Sequence, residues 1–397
     1  MIKQITICFL MALVLKSSAQ QYAWTQKASL PAAPRYEAVA FSIGNKGYFG
    51  TGANFNINSV YNDLWEYDPV LNLWTQRANI PGVNRYGAAA FSIGNKGYVG
   101  TGWTLTGTQL NDFYEYDPNN NTWISRANFI GTPRYDAIGL NIGGMGYIGF
   151  GYQGLKKDLY EYNPIVNSWT QNPSCPCSAR QSLTSFSLNG IGYFTGGSST
   201  NVNFNDMWSF SPVSNSWTQL ANFPGFSRYG NVSFVINGLG IVGSGWDGAT
   251  VFNDFYSYNP STNVWSGIPS FPSNGRHSGD AFSINNKGYF GLGRDQFNNY
   301  YNDLWELSEV TGIAKSQETN YFTITFNNYN KELTIQNKGA VEAQLSLYSL
   351  NGKRLMLHAL PAQNHSSLSF SDCASGLYLC VISVGDRIVT TQRILVP

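Results

Sequence analysis

The chain has 397 residues, 12% of them charged, and 24 basic residues against 23 acidic ones leave a net charge of +1. Charges so few and so balanced exclude a highly charged disordered chain and a protein held by nucleic-acid phosphates. Aromatics make up 15% and glycines number 41, which suits an all-β protein with many tight turns; the three histidines leave little room for histidine-based metal or acid–base chemistry.

The N-terminal end reads as an export signal. Lys3 is followed by the apolar run from Ile5 to Leu15 and by the small residues Ser17-Ser18-Ala19, the three-part pattern of a signal peptide cleaved after Ala19. The run is shorter than the ~20 apolar residues that span a bilayer, and no later segment is long enough. Residues 1–19 are therefore expected to be removed on passage through the inner membrane, leaving a mature chain without a transmembrane segment. Cys8 leaves with them; Cys175, Cys177, Cys373 and Cys380 remain. Cys175-Pro176-Cys177 looks too tight for an easy bridge between its own members, and two thiols alone do not complete a zinc site. No metal or cofactor is expected.

From residue 20 the chain repeats itself. Trp24, Trp74, Trp123, Trp169, Trp217 and Trp265 recur at steps of 50, 49, 46, 48 and 48. An arginine follows each tryptophan by 11 residues: Arg35, Arg85, Arg134, Arg180, Arg228 and Arg276. A glycine follows each arginine by 17, from Gly52 to Gly293, and then an aspartate: Asp63, Asp112, Asp158, Asp206, Asp254 and Asp303. Only the glycine-to-aspartate interval varies (11, 10, 7, 9, 9 and 10), so a surface loop lies there. Each unit offers four short β-runs, in the first Glu37–Ile43, Lys46–Thr51, Asp63–Tyr67 and Asn72–Arg77, with Gly44-Asn45 and Asp68-Pro69 as turns. Six such units predict a six-bladed β-propeller. Trp24 precedes the first complete unit and no tryptophan run follows Asp303 and Trp305, so the N-terminal strand is expected to close the last blade.

The arginine, the Gly47-Tyr48 pair, Gly52, the stretch Asn62-Asp63-Leu64-Trp65-Glu66-Tyr67-Asp68-Pro69 and the Trp74 run together resemble the kelch repeat, over roughly residues 22 to 308. The family's adjacent Gly-Gly is intact only at Gly196-Gly197; elsewhere the pattern is Gly-x-Gly, as in Gly50-Thr51-Gly52.

After Leu307 the pattern stops. A polar linker, 309–320, leads to a domain over 321–397 in which alternating runs (Tyr321–Phe326, Glu332–Gln336, Gln344–Ser349, Ser367–Phe370, Leu377–Val384 and Ile388–Val396) suggest a small β-sandwich of six or seven strands. Leu347-Tyr348-Ser349-Leu350-Asn351-Gly352-Lys353, Ala374-Ser375-Gly376-Leu377-Tyr378 and the terminal Arg393-Ile394-Leu395-Val396-Pro397 resemble the type IX secretion sorting domain of Bacteroidetes exported proteins. Gly352 and Gly376 are expected to take conformations other residues resist. The resemblance implies the type IX secretion machinery as a partner, and a product on the outer-membrane surface or outside the cell, with removal of this domain near the linker.

In an up-and-down blade the turn carrying each arginine and the variable loop share a face. That face is expected to collect Arg35, Arg85, Arg134, Arg180, Arg228 and Arg276 with Trp103, Tyr152, Trp246, Asp247, Arg294 and Asp295. Arginines donate bidentately to carboxylates, sulfates or phosphates, and exposed aromatics offer flat apolar faces to sugar rings. Six copies at one repeat position suit a scaffold, with each Arg bracing its neighbouring blade, so the unit-specific Trp103, Tyr152, Trp246, His277 and Asp280 are the sharper ligand-binding candidates. The repeated aspartates read as caps of local backbone amides. The expected function is a binding module for a glycan or protein ligand. The rival, by resemblance to the kelch-type N-acetylneuraminate epimerase, is a sugar mutarotase using His277, Asp280 or Glu37. The copper chemistry of kelch-like galactose oxidases is rejected, since the propeller has only His277. No Gly-x-Ser-x-Gly elbow or phosphate loop appears.

Overall fold

The computed structural model describes residues 22–310, 322–327, 330–349, 353–385 and 387–396. The expected export signal and most of the linker lie outside them. The chain divides into two compact units, Met1–Glu309 and Val310–Pro397.

The first unit holds six four-stranded antiparallel sheets. Blade 1 runs Val39–Ile43, Lys46–Gly50, Leu64–Asp68, Leu73–Arg77 from the axis outward. Blades 2 to 5 repeat this order, starting from Ala89–Ile93, Ile138–Ile142, Gln181–Leu188 and Val232–Ile236. Blade 6 has Asp280–Ile284, Lys287–Gly291 and Leu304–Glu309, and its outermost strand is Tyr22–Lys27, paired antiparallel with Leu304–Glu309. The N-terminal strand thus closes the circle and removes an open edge. Neighbouring innermost strands touch one another in a closed cycle around the axis. One expectation needs correcting: the first strand starts at Val39 rather than Glu37, because Glu37 has a left-handed backbone with φ 49°.

Blades are held together by repeated contacts that the sequence spacing encodes. In blades 1, 2, 3 and 6 the glycine of the Gly-Tyr pair is the hole into which an aromatic ring of the preceding blade fits, and in blade 4 Ile142 takes that place at Gly192. A Cβ on Gly47 would lie 2.1 Å from the Phe282 ring, and the same relation joins Gly97 to Phe41 and Gly146 to Phe91. The rim tryptophans act as staples. The indole N–H of Trp74 donates to Ala28 O at 2.8 Å, Trp123 to Ala78 O, Trp169 to Ala127 O and Trp265 to Ala221 O. Trp24 makes the closing bond, to Pro269 O.

The second unit is a sandwich of a three-stranded and a four-stranded sheet. Its seven strands are Phe322–Asn327, Glu332–Asn337, Ala343–Ser349, Arg354–Leu360, Asn364–Ser369, Gly376–Val384 and Arg387–Val396. Arg354–Leu360 is the strand the sequence reading did not separate. Leu333, Ile335, Leu345, Leu347, Phe370 and Ile382 fill the core. Gly376 starts its strand without the positive φ expected of it; Gly352 lies outside the described residues. Among the described residues no helix is long and apolar enough to cross a membrane.

The interlock predicts a contrast. Gly47→Ala forces a methyl group into the buried Phe282 ring and should cost about 1–3 kcal/mol in urea unfolding. Gly267→Ala, where a Cβ meets nothing within 4 Å, should stay within about 0.5 kcal/mol.

Candidate functional site

The six repeat arginines are buried to 2% exposure or less. Each guanidinium grips the aspartate of its own unit with two bonds. In blade 3, Arg134 Nη1 donates to Asp158 Oδ1 at 2.5 Å and Nη2 to Oδ2 at 2.9 Å. Nη1 also donates to Phe150 O at 2.8 Å, and Nε to Thr132 O at 3.0 Å. Arg35, Arg85, Arg180, Arg228 and Arg276 pair likewise with Asp63, Asp112, Asp206, Asp254 and Asp303. With its donors so engaged, none of the six presents a free fork to a ligand. They are scaffold residues, and their inclusion among the ligand-binding candidates is corrected on that ground. The aspartates are scaffold, as their repetition suggests, but the expected caps of backbone amides are corrected in that their main donor is the arginine, joined at Asp63, Asp206 and Asp303 by an indole N–H two residues on.

The carbonyl each Nη1 holds belongs to the middle residue of the Gly-x-Gly pattern. That residue has positive φ in every blade: Thr51, Thr101, Phe150, Gly196, Ser244 and Leu292. A left-handed non-glycine residue costs roughly 1–3 kcal/mol, and the buried guanidinium offsets that cost. This is how five blades dispense with the first glycine of the family's Gly-Gly pair.

Two residues beyond each arginine, the backbone forms a ring. Glu37, Gly87, Asp136, Ser182, Gly230 and Ser278 all have φ between 49° and 62°. Each N–H donates to the carbonyl of the preceding member, at 2.7–3.2 Å, and Glu37 N–H to Ser278 O completes the circle. The ring surrounds the mouth of an axial channel of about 200 Å³. Its side chains meet above the mouth. Gly87 separates Glu37 from Asp136, and a Cβ there would lie 2.7 Å from Asp136 Oδ1. Its absence lets the two carboxyls hydrogen-bond to one another. Burial, then the Asp136 charge, holds Glu37 well above the usual carboxylate range. Burial raises Asp136 as well, against the opposing bond from Ser182 Oγ at 2.7 Å. Asp280 lines the channel beside them, its carboxyl pushed up to about 7 by burial against the Ala38 N–H it accepts and the charge of Arg35.

Around this mouth runs an arc of rings. The residue after each arginine bridges to the start of the variable loop: Tyr36 to Ala53, Tyr86 to Trp103, Tyr135 to Tyr152, Tyr229 to Trp246 and His277 to Arg294. The two features do share a face. Trp103 stacks on Tyr135 at 4.3 Å and on Tyr86 at 5.8 Å, and Tyr152 extends the arc from Tyr135. Tyr36 joins Tyr86 to His277, against which Trp246 lies at 5.0 Å. Blade 4 interrupts the arc, with Gln181 in the ring position. Trp103 Nε1, Trp246 Nε1, Gln181 Oε1 and both amide atoms of Asn231 are buried without a hydrogen-bond partner.

The structure therefore brings Trp103, Tyr152, Trp246, His277 and Asp280 onto one face. His277 is constrained there. Arg294 Nε donates to its Nε2 at 3.3 Å, and burial followed by the Arg294 charge lowers its pKa to about 3, which makes it a weak base at neutral pH. Asp136 and Asn231 escaped sequence reading. The departure of their positions from the residues of the other blades is the signal that marks them. Away from this face, Cys175 and Cys177 form a disulfide with Cα atoms 5.2 Å apart, inside the ordinary range. The expectation that the pair is too tight is corrected, since the Cα separation is one that a bridge accommodates. Cys373 and Cys380 are free thiols.

Two measurements test this assignment. Asp158→Asn leaves Arg134 buried without its counter-charge and should lower stability by about 3 kcal/mol, whereas Tyr152→Ala should stay within about 0.5 kcal/mol. The second concerns pH. A carboxyl whose folded pKa is raised binds more protons in the native state, so its stabilisation is present at low pH and lost as pH rises toward the folded value. For Asp280 that window runs from about 4 to about 7. Urea unfolding of Asp280→Asn beside the unaltered protein should show the variant gaining in relative stability across that window.

Three family models match the chain: a KLHDC2/KLHL20/DRC7 kelch-repeats domain over residues 84–226, the kelch motif over 245–272, and a secretion system C-terminal sorting domain over 319–397. No curated protein matches the chain. The solved structure of YjhT aligns with 78% of this chain and 99% of its own, at 16% identity and a TM-score of 0.62, a likeness of fold. The chain carries a kelch-repeat β-propeller followed by a secretion-system sorting domain, which directs its export by the type IX route to the cell surface or the extracellular space.

Proposed function

We propose that the exported propeller is a binding module that recognises a glycan at the mouth of its axial channel. The observation that carries this reading is the arc of rings from Tyr152 through Trp103, Tyr86 and Tyr36 to His277 and Trp246, curved around unpartnered polar groups. Flat apolar faces beside a few convergent donors and acceptors are what a sugar requires: ring carbons lie on the aromatics while hydroxyls take the indole N–H groups, Gln181 and Asn231. A second reading is supported by the Glu37–Asp136 pair. Two hydrogen-bonded carboxyls whose protonated form burial favours suit general acid–base transfer on a sugar, as in a mutarotase. An acidic ligand has less support, because the six arginines that would receive it are already neutralised.

A glycan array probed with the purified protein tests the first reading. A hit should stabilise the protein by ~2.7 kcal/mol at a hundred times its Kd. Trp103→Ala should weaken that binding at least about tenfold, the equivalent of ~1.4 kcal/mol. A blank array would remove the reading. Exchange of sugar anomers by NMR, saturable and abolished in Glu37→Gln, would favour the second.

A further inference from the structure

The channel below the ring is unequal on its two sides. Blades 1 to 3 line it with Ala38, Ala40, Ala88, Ala90, Ala137 and Gly139, none of which carries a polar side-chain atom. Blades 4 to 6 line it with Thr184, Ser233, Asn231 and Asp280 among others. Thr184 Oγ1 donates to Ser233 Oγ, which donates to Ser185 O, so these hydroxyls are committed to each other. Asn231 and Asp280 are not. Asn231 is 7% exposed as a whole residue, and neither its side-chain oxygen nor its nitrogen, both buried, has a partner. A buried amide left unpaired is costly, so the arrangement asks for a ligand. Asp280 Oδ2 accepts from Ala38 N–H. Beside them in the circle stands Glu37, bonded to Asp136.

The set is rich in acceptors. A group that fills it must bring several donors, and an ammonium brings three and accepts nothing. The amide N–H of Asn231 asks in turn for one acceptor, which a neighbouring hydroxyl provides. At about 200 Å³ the channel is smaller than the ~300 Å³ of the smallest sites that hold a drug-sized molecule, so it takes one end of a ligand while the aromatic arc takes the rest.

We infer that the channel mouth selects a sugar bearing a free amino group beside a hydroxyl, its ammonium held by Asp280 and Glu37 and its hydroxyl by Asn231. This deepens the glycan-binding reading and rests on it.

The groups that face the ammonium from the surrounding blades set its pH dependence. Glu37 and Asp280 meet it from blades 1 and 6, with Asp136 behind Glu37. Arg294 opposes it, lying near Glu37 and over the Tyr36 ring at 4.9 Å. Arg35 acts on Asp280 from within the scaffold. The phenols of Tyr36, Tyr86 and Tyr135 stay neutral, because burial raises each above its ordinary value. His277, held low by burial and Arg294, with Asp295 opposing, stays neutral above pH 5. Asp136 and Asp280, raised by burial to about 6 and about 7, are therefore the groups that change state between pH 5 and 7. Each proton on them must leave as the ammonium arrives, so affinity rises with pH over that interval and binding releases protons.

Titration calorimetry with D-glucosamine, D-glucose and N-acetyl-D-glucosamine decides the matter. At pH 7 glucosamine should bind at least about tenfold tighter than the two neutral sugars, and the preference should shrink at pH 5. Its apparent enthalpy should also change between buffers of different ionisation enthalpy, by the protons released; this needs no variant. Asp280→Asn and Glu37→Gln, close in shape to the native residues, should lose the preference, with glucosamine binding no tighter than the neutral sugars. Equal binding of the three sugars overturns the inference and leaves the glycan reading intact. Failure of glucosamine to bind also overturns it, and the glycan reading then stands or falls on the array alone.

Discussion

The buried ion pair between each repeat arginine and its aspartate is the constraint on which the propeller depends. A guanidinium removed from water must find both a counter-charge and partners for its remaining donors. Here the aspartate supplies the first, and the carbonyl of a left-handed residue supplies part of the second. One side chain thus ties the entry of the innermost strand to the exit of the next strand and to the start of the third. These are the three points between which the loop of variable length is strung. The loop can lengthen or shorten because its two ends are clamped by a group that does not belong to it.

From that clamp the rest of the face follows. The arginine sends the next residue outward, where it bridges to the loop, and the second residue inward with positive φ, where its N–H joins the ring around the axis. A ring of six such bonds needs no particular side chain. The six positions are therefore open to whatever the ligand requires. Glycine at 87 and 230, serine at 182 and 278, and carboxyls at 37 and 136 are all compatible with one backbone. Scaffold and specificity occupy adjacent residues in the chain without competing for the same atoms.

This division explains what the sequence made legible. Periodic features report packing: the tryptophan, arginine, glycine and aspartate spacings were enough for blade number, strand order and the closing role of Trp24. They could not report that the arginines are hidden, because each aspartate partner lies 24 to 28 residues away across the variable loop. The exposed-looking turn of the sequence is a buried hub in space. Glu37 and Asp136 lie two blades apart, and what joins them is an absence, the missing side chain of Gly87. Asn231 stands where the equivalent residues are Ala38, Ala88 and Ala137, a departure visible in the repeat but without meaning until the channel is seen. The unit-specific aromatics Trp103 and Trp246 were legible because they interrupt a repeat, and interruptions are what a ligand site needs.

The scarcity of charge gives the carboxyl cluster its weight. Of 24 basic and 23 acidic residues, six of each are consumed in the arginine–aspartate clamps. Glu66, Glu115 and Glu306 are likewise matched by Arg77, Arg126, Lys27 and Lys287 along the outer strands. A surface built from tyrosine, asparagine, serine and threonine contributes dipoles rather than net charge. Against that background, Glu37 with Asp136 bonded to it and Asp280 beside it, and Arg294 acting on Glu37, are not lost among neighbours. Bulk salt screens exposed charges over about 8–10 Å at ordinary ionic strength, but it reaches a half-buried channel mouth poorly. A ligand that leaves water to enter the mouth therefore meets an electrostatic environment set by a handful of named groups, while the aromatic arc outside it answers to shape. Discrimination at the tip and adhesion along the body of a ligand are thereby separable, and each is carried by residues that the propeller's own stability does not require.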